Sequence, residues 1–171
     1  ASCYRGASIL RGYEVTHSRF IDEIRAANIV HFAGHALNVP DRPLDSALIV
    51  APDKGVASVA ASDIMQLHLN HILLVFLSTC RSAESGGRRD GVQNLATAFL
   101  VAGAPTIVAS ISDVEDQSAR RLATAFHSKF ATSDDAASAL HEAAVQSGDY
   151  REHPSTFRMY VLGGSRRFVG H

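Results

Sequence analysis

Residues 70–84, NHILLVFLSTCRSAE, decide the reading of this chain. Six consecutive apolar residues, Ile72 to Leu77, stop abruptly at Ser78, Thr79 and Cys80. A run this short, holding Val and Phe, suits a strand buried on both faces. The polar triplet then marks its carboxyl end. In open parallel sheets, ligands and chemistry sit at that end. The spacing therefore places Cys80 at the mouth of a sheet. A cysteine used as a nucleophile needs a base, and residues 29–35, IVHFAGH, offer one. This second short apolar run ends in Gly34-His35. Two adjacent strands bring His35 and Cys80 to one rim.

Working outward, residues 17–27 carry Phe20, Ile21 and Ile24 at helical spacing, with Asn28 as a stop. A short strand is possible at residues 13–15. Residues 38–45, with two prolines and two aspartates, read as a loop. Residues 47–51, ALIVA, make a third strand, closed by Pro52-Asp53-Lys54-Gly55. Ser62 caps a short helix. Residues 81–91 read as a loop over the central strand end. The apolar helix at residues 92–102 is stopped by Gly103 and Pro105. Residues 106–110, TIVAS, form another buried strand, and residues 112–116 an acidic turn. Helices are predicted over 117–130 and 134–146, and a last strand over 158–162. Strands alternating with helices argue an α/β fold: a mostly parallel central sheet with helices on both faces. No repeat or linker divides the chain, so residues 1–171 read as one domain.

Composition narrows the function classes. A net charge of −1 gives no field to attract nucleic acid or an anionic membrane. No apolar run approaches the ~20 residues of a membrane helix. Two cysteines in 171 residues are no disulfide framework, and a reduced, cytoplasmic setting is expected. No phosphate loop or dinucleotide fingerprint is present. The arginines read as solvated faces rather than a nucleic-acid stripe. The chain opens ASCYRGAS without an initiator Met, and we read it as the C-terminal part of a longer polypeptide.

The site residues have plainer readings. A free cysteine is commonly a small buried hydrophobe, and a lone histidine a satisfied or surface one. His31 and His35 also form an HxxxH pair, but that spacing joins two rings on one metal only in a helix, and Gly34 within an apolar run argues for a strand. No metal or cofactor is expected. The chemical alternative is a dyad. Thiolate, not thiol, attacks carbonyls, and an imidazole takes the thiol proton and later passes it to the leaving amine. The backbone amides of Ala36 and Cys80 are the natural donors to an oxyanion.

The segment HFAGHA, from His31 to Ala36, resembles the His motif of the CHAT-domain cysteine peptidases, relatives of caspases, separase and the gingipains. LSTCRSAESGG, from Leu77 to Gly87, resembles their Cys motif, usually LSAC followed by small or acidic residues. GVQNLATAFLVAGAPTIVAS, ISDVEDQSA and HPSTFRMYVLGG resemble three further family segments in the same order, together spanning nearly the whole chain. The resemblance implies a caspase-like three-layer sandwich, lacking upstream strands that would otherwise flank the His strand. It implies a cysteine endopeptidase acting on a protein substrate through an acyl-thioester, with His35 as base, Cys80 as nucleophile and His31 structural. The alternative is a catalytically silent caspase-like interaction or regulatory domain. The resemblance also places Asp113 or Asp116 in a pocket for a basic residue before the cut, against the plainer reading of an acidic helix start. It implies an upstream regulatory region or partner protein. Ala36 stands where the family has Gly, Ser112 where it has Trp, and Phe157-Arg158 where it has Trp-Ala.

Overall fold

The computed structural model describes residues 3–39, 41–81, 90–110, 116–147 and 157–161; at 80, 81, 90–94 and 158–161 it describes the main chain alone. A six-stranded sheet has the order β3-β2-β1-β4-β5-β6. The strands are β1 Ile29–Leu37, β2 Ala47–Asp53, β3 Val56–Ala60, β4 Leu74–Arg81, β5 Thr106–Ser110 and β6 Phe157–Val161. β1, β4 and β5 are parallel neighbours, and β3 points the same way, while β2 and β6 run against them. The central sheet is thus mostly parallel, as the alternation of strands and helices predicts.

The apolar run of β4 shows why the molecule has three layers. Leu74, Val75, Phe76 and Leu77 are all fully buried. Successive strand residues face opposite ways, and here each side has its own core. Val75 and Leu77 join Phe20 and Ile24 of α1 (His17–Ala26), Ile64 of α2 (Ala61–Met65), and Leu95 and Phe99 of α3 (Asp90–Val101). Leu74 and Phe76 join Leu122, Phe126 and Phe130 of α4 (Asp116–Ser133), with Ala139 and Ala143 of α5 (Ala136–Ser147). The sheet is sandwiched between helices, which is the caspase-like arrangement the motifs imply.

Several local expectations need correction. β1 does not end at Gly34-His35. It continues to Leu37, because Ala36 and Leu37 pair with Leu48 and Ala47 of β2. Residues 13–15 hold no strand: Gly12–Glu14 is a short 3-10 helix. The Lys54-Gly55 turn, both residues at positive φ, opens a hairpin into β3. The small residues of VASVA gave that strand no apolar signature. Ser62 is not the cap of α2: the helix starts at Ala61, and Asp63 caps it by accepting the Ala60 N–H at 3.0 Å.

The flank of β1 away from β4 bears on the expected upstream strands. Among the described residues, its ladder partners on that side are confined to positions 36 and 37. β2 then turns to the segment before α1, where the Ala51 N–H donates to the Val15 carbonyl at 2.7 Å. α1 covers one face of β1, with Phe20 edge-on to Phe32 at 6.0 Å.

Gly103 makes the stop between α3 and β5. Its φ of +106° belongs to the left-handed region, and an added Cβ would overlap the Asn70 side chain. Gly103→Ala is expected to cost about 1–2 kcal/mol in urea unfolding, through backbone strain and that overlap.

Candidate active site

The geometry follows from one ladder. β1 and β4 pair in parallel from Ile29↔Leu74 to Ala36↔Arg81, and within it His35 lies opposite Cys80. Neighbouring strands are ~4.8 Å apart, so the two Cα atoms are held at about that separation. Positions 31, 33 and 35 share one face of β1, and positions 76, 78 and 80 share one face of β4. It is the same face, since His31 rests on Phe76 with ring centroids 5.0 Å apart. His35 is exposed. The two sequence-predicted partners therefore occupy facing positions near the carboxyl ends of adjacent strands. Neither lies in a loop beyond the sheet.

His31 and His35 sit four residues apart on a strand, ~13 Å along it, too far to share a metal ion. His31 has a different role. Its Nδ1 lies 3.2 Å from Nε2 of His127, whose Nδ1 lies 2.8 Å from the Tyr4 hydroxyl. This chain of three polar groups stands on the α4–α5 face of the sheet, among Phe76 and Phe126. Burial pushes His127 down to about 3, with His31 adding to the shift. Burial against the same rings lowers His31 to about 4, although that residue as a whole stays exposed. Burial pushes Tyr4 up to about 12. All three groups are neutral at pH 7. Sequence reasoning missed Tyr4 and His127; the one signal was a histidine on the apolar face of α4 between Phe126 and Phe130.

Behind position 80 lies Ser110, the last residue of β5, 1% exposed. Its hydroxyl donates to the Thr79 carbonyl at 2.8 Å and accepts the Thr79 N–H at 3.3 Å. The main-chain groups of Thr79 thus face β5. In a strand those of the next residue face the other way, so the N–H and C=O of Cys80 face β1. Parallel pairing with that facing makes Gly34 and Ala36 the ladder neighbours of Cys80. Both amides expected to receive an oxyanion, those of Ala36 and Cys80, therefore lie within the paired rim.

Asp116 is exposed and opens α4. Asp113 and the remainder of the Cys motif after Arg81 lie outside the described residues, as do residues 153–156 and 162–164 of the closing motif. Among the described residues, no cluster of three metal-ligating side chains occurs and no helix is long and apolar enough to cross a membrane.

A three-layer α/β sandwich with His and Cys facing each other on adjacent parallel strands defines the class of caspase-like, peptidase-related domains. The chain belongs to the CHAT domain family, whose model matches residues 3–156. It is similar to tetratricopeptide repeat protein 28 of Homo sapiens, at 28% identity over 94% of this chain and 8% of that protein. It is likewise similar to tetratricopeptide repeat protein 28 of Mus musculus, at 27% identity with the same coverage. The chain thus spans about 8% of the length of these curated relatives.

Proposed function

We propose that this domain is a cysteine endopeptidase in which His35 and Cys80 form the catalytic dyad. The observation that carries the reading is the direct register of His35 with Cys80 in the β1–β4 ladder. The His35 imidazole takes the Cys80 thiol proton. The thiolate sulfur then bonds to the substrate carbonyl carbon, and the carbon–nitrogen bond breaks as the imidazolium returns its proton to the leaving amine. Water, deprotonated by His35, attacks the thioester. The carbon–sulfur bond breaks and the acid product leaves. Negative charge on the carbonyl oxygen calls for the amides of Ala36 and Cys80. Because both lie in the ladder, this reading requires the last rungs of β1 and β4 to part as substrate enters.

That same pairing favours the second reading, a catalytically silent caspase-like interaction domain whose rim stays closed. A peptidyl chloromethyl ketone with Arg at its reactive end separates the two. Stoichiometric labelling of Cys80 with Cys3 untouched supports the peptidase. A Cys80 that reacts no faster than Cys3 sinks it.

The preference for a basic residue before the cut rests on Asp116 or Asp113. Asp116→Asn and Asp113→Asn are each expected to be tested on peptide libraries. The responsible variant loses discrimination for Arg and Lys by ~10-fold or more, as removal of a paired charge requires. Preferences unchanged in both variants would dismiss an acidic pocket. Both relatives are named for tetratricopeptide repeats. This supports an upstream helical-repeat region as the regulatory partner of the domain, which would act in the reducing cytoplasm on a protein substrate.

A further inference from the structure

We propose that Ser110 is a positioning residue for the nucleophile. This rests on the peptidase reading above. The main-chain ladder between β4 and β5 runs over Val75↔Ile107, Phe76↔Val108 and Leu77↔Ala109. At the next level of the rim, a side chain replaces main chain. The Ser110 hydroxyl bonds both the N–H and the C=O of Thr79, the residue immediately before Cys80. A hydroxyl can do this because it donates once and accepts twice.

Two observations make this clamp more than a satisfied serine. Among the described residues, the Thr79 hydroxyl, on a residue only 2% exposed, has no hydrogen-bond partner. Thr79 is therefore tied to β5 through its main chain, and Ser110 makes both of those ties. The peptide unit joining Thr79 to Cys80 is planar and rigid. Holding the Thr79 carbonyl toward β5 therefore turns the Cys80 N–H toward β1 and fixes the height of Cys80 against His35. Without the hydroxyl, two buried main-chain groups lose the side-chain partner they have among the described residues. That peptide is then driven to rotate or shift in search of others.

The variants are Ser110→Ala, Ser110→Thr and, as a control in the same strand, Ile107→Val, which trims a fully buried side chain. Each is made in the intact protein. Two measurements are taken: steady-state cleavage of the peptide cut best by wild type, and hydrogen exchange of single amides by fragmentation mass spectrometry. Ser110→Ala is expected to lower kcat by ~10- to 100-fold with KM little changed, the effect of misplacing a reacting group by a fraction of an ångström to one ångström. Its Thr79 and Cys80 amides should exchange at least ~10-fold faster, while those of Val75 and Leu77 hold. Ser110→Thr keeps the hydroxyl and should recover most of kcat. Ile107→Val should lose stability without losing kcat. A Ser110→Ala enzyme with wild-type kcat overturns the proposal. So does a Thr variant that folds yet stays as slow as Ala, or an Ile107→Val variant equally slowed. If wild type cleaves nothing and Cys80 resists the ketone, the peptidase reading falls. The exchange data then still decide the clamp: unchanged Thr79 and Cys80 amides in Ser110→Ala remove it whatever cleavage shows.

Discussion

Cys80→Ala and His35→Ala each lower substrate cleavage by roughly a thousandfold or more while leaving thermal unfolding close to wild type. The two losses differ in kind. Cys80→Ala removes the atom that bonds to the carbonyl carbon, and no pH restores it. His35→Ala leaves the thiol without its base. An ordinary thiol has a pKa of ~8.5, so only a few per cent is thiolate at pH 7. Residual activity of His35→Ala should then climb with pH toward that value. Because both groups act as one unit, the double variant should be scarcely worse than either single one. His35 is exposed, so its truncation does not hollow the core, and position 80 is the penultimate residue of β4. Cleavage assays across pH 6 to 9, with unfolding curves for each variant, check all of this. Activity retained in either single variant ends the assignment.

Acid is expected to loosen the fold through His127. Its folded-state value, about 3, lies well below the ordinary 6.5 because the ring is buried. The folded protein therefore binds fewer protons than the unfolded chain between those values. Stability from this group is complete above about pH 6.5 and is lost as pH falls toward 3. At pH 5 the loss reaches about 2 kcal/mol. His31, in contact with His127, adds in the same direction. His127 is the more buried of the two residues, 8% exposed. The groups facing it are the Tyr4 hydroxyl and the rings of His31, Phe76 and Phe126. Among the described residues, no carboxylate is bonded to it that would favour its charged form. His127→Gln, polar but not titrating, should flatten stability against pH between 5 and 7. Urea unfolding at pH 7 and 5 checks it, and an unchanged slope in the variant rules out His127 as the cause.

The central strands and the register partners were legible because burial writes itself into sequence. Of the six apolar residues from Ile72 to Leu77, four lie in β4 and are covered on both sides. The strand begins at Leu74 and continues through Ser78, Thr79 and Cys80 to Arg81, so the polar switch marks the approach to the rim and not the end of the strand. His35 and Cys80 followed from that switch. What escaped were features with no local mark. β3 consists of small residues, and its pairing depends on a turn at Lys54-Gly55. The extension of β1 past His35 rests on pairing with β2 and β4, which are tertiary contacts. The clamp by Ser110 and the Tyr4–His127–His31 chain join residues up to 123 positions apart. Neither spacing nor periodicity carries that information. The family resemblance agreed with the dyad already read from the residues, while its placement of acids near the rim reaches, among the described residues, only Asp116.

The closed rungs beside Cys80 have a thermodynamic corollary. Net hydrogen bonds between strands are worth about 1 kcal/mol each, so holding two of them shut favours the resting arrangement by only about 2 kcal/mol. An equilibrium so shallow leaves a few per cent of molecules open without any effector. A neighbour that gripped the open form a hundredfold more tightly would invert the balance. Such a throttle needs no proteolytic maturation, and it would relax as soon as the neighbour let go.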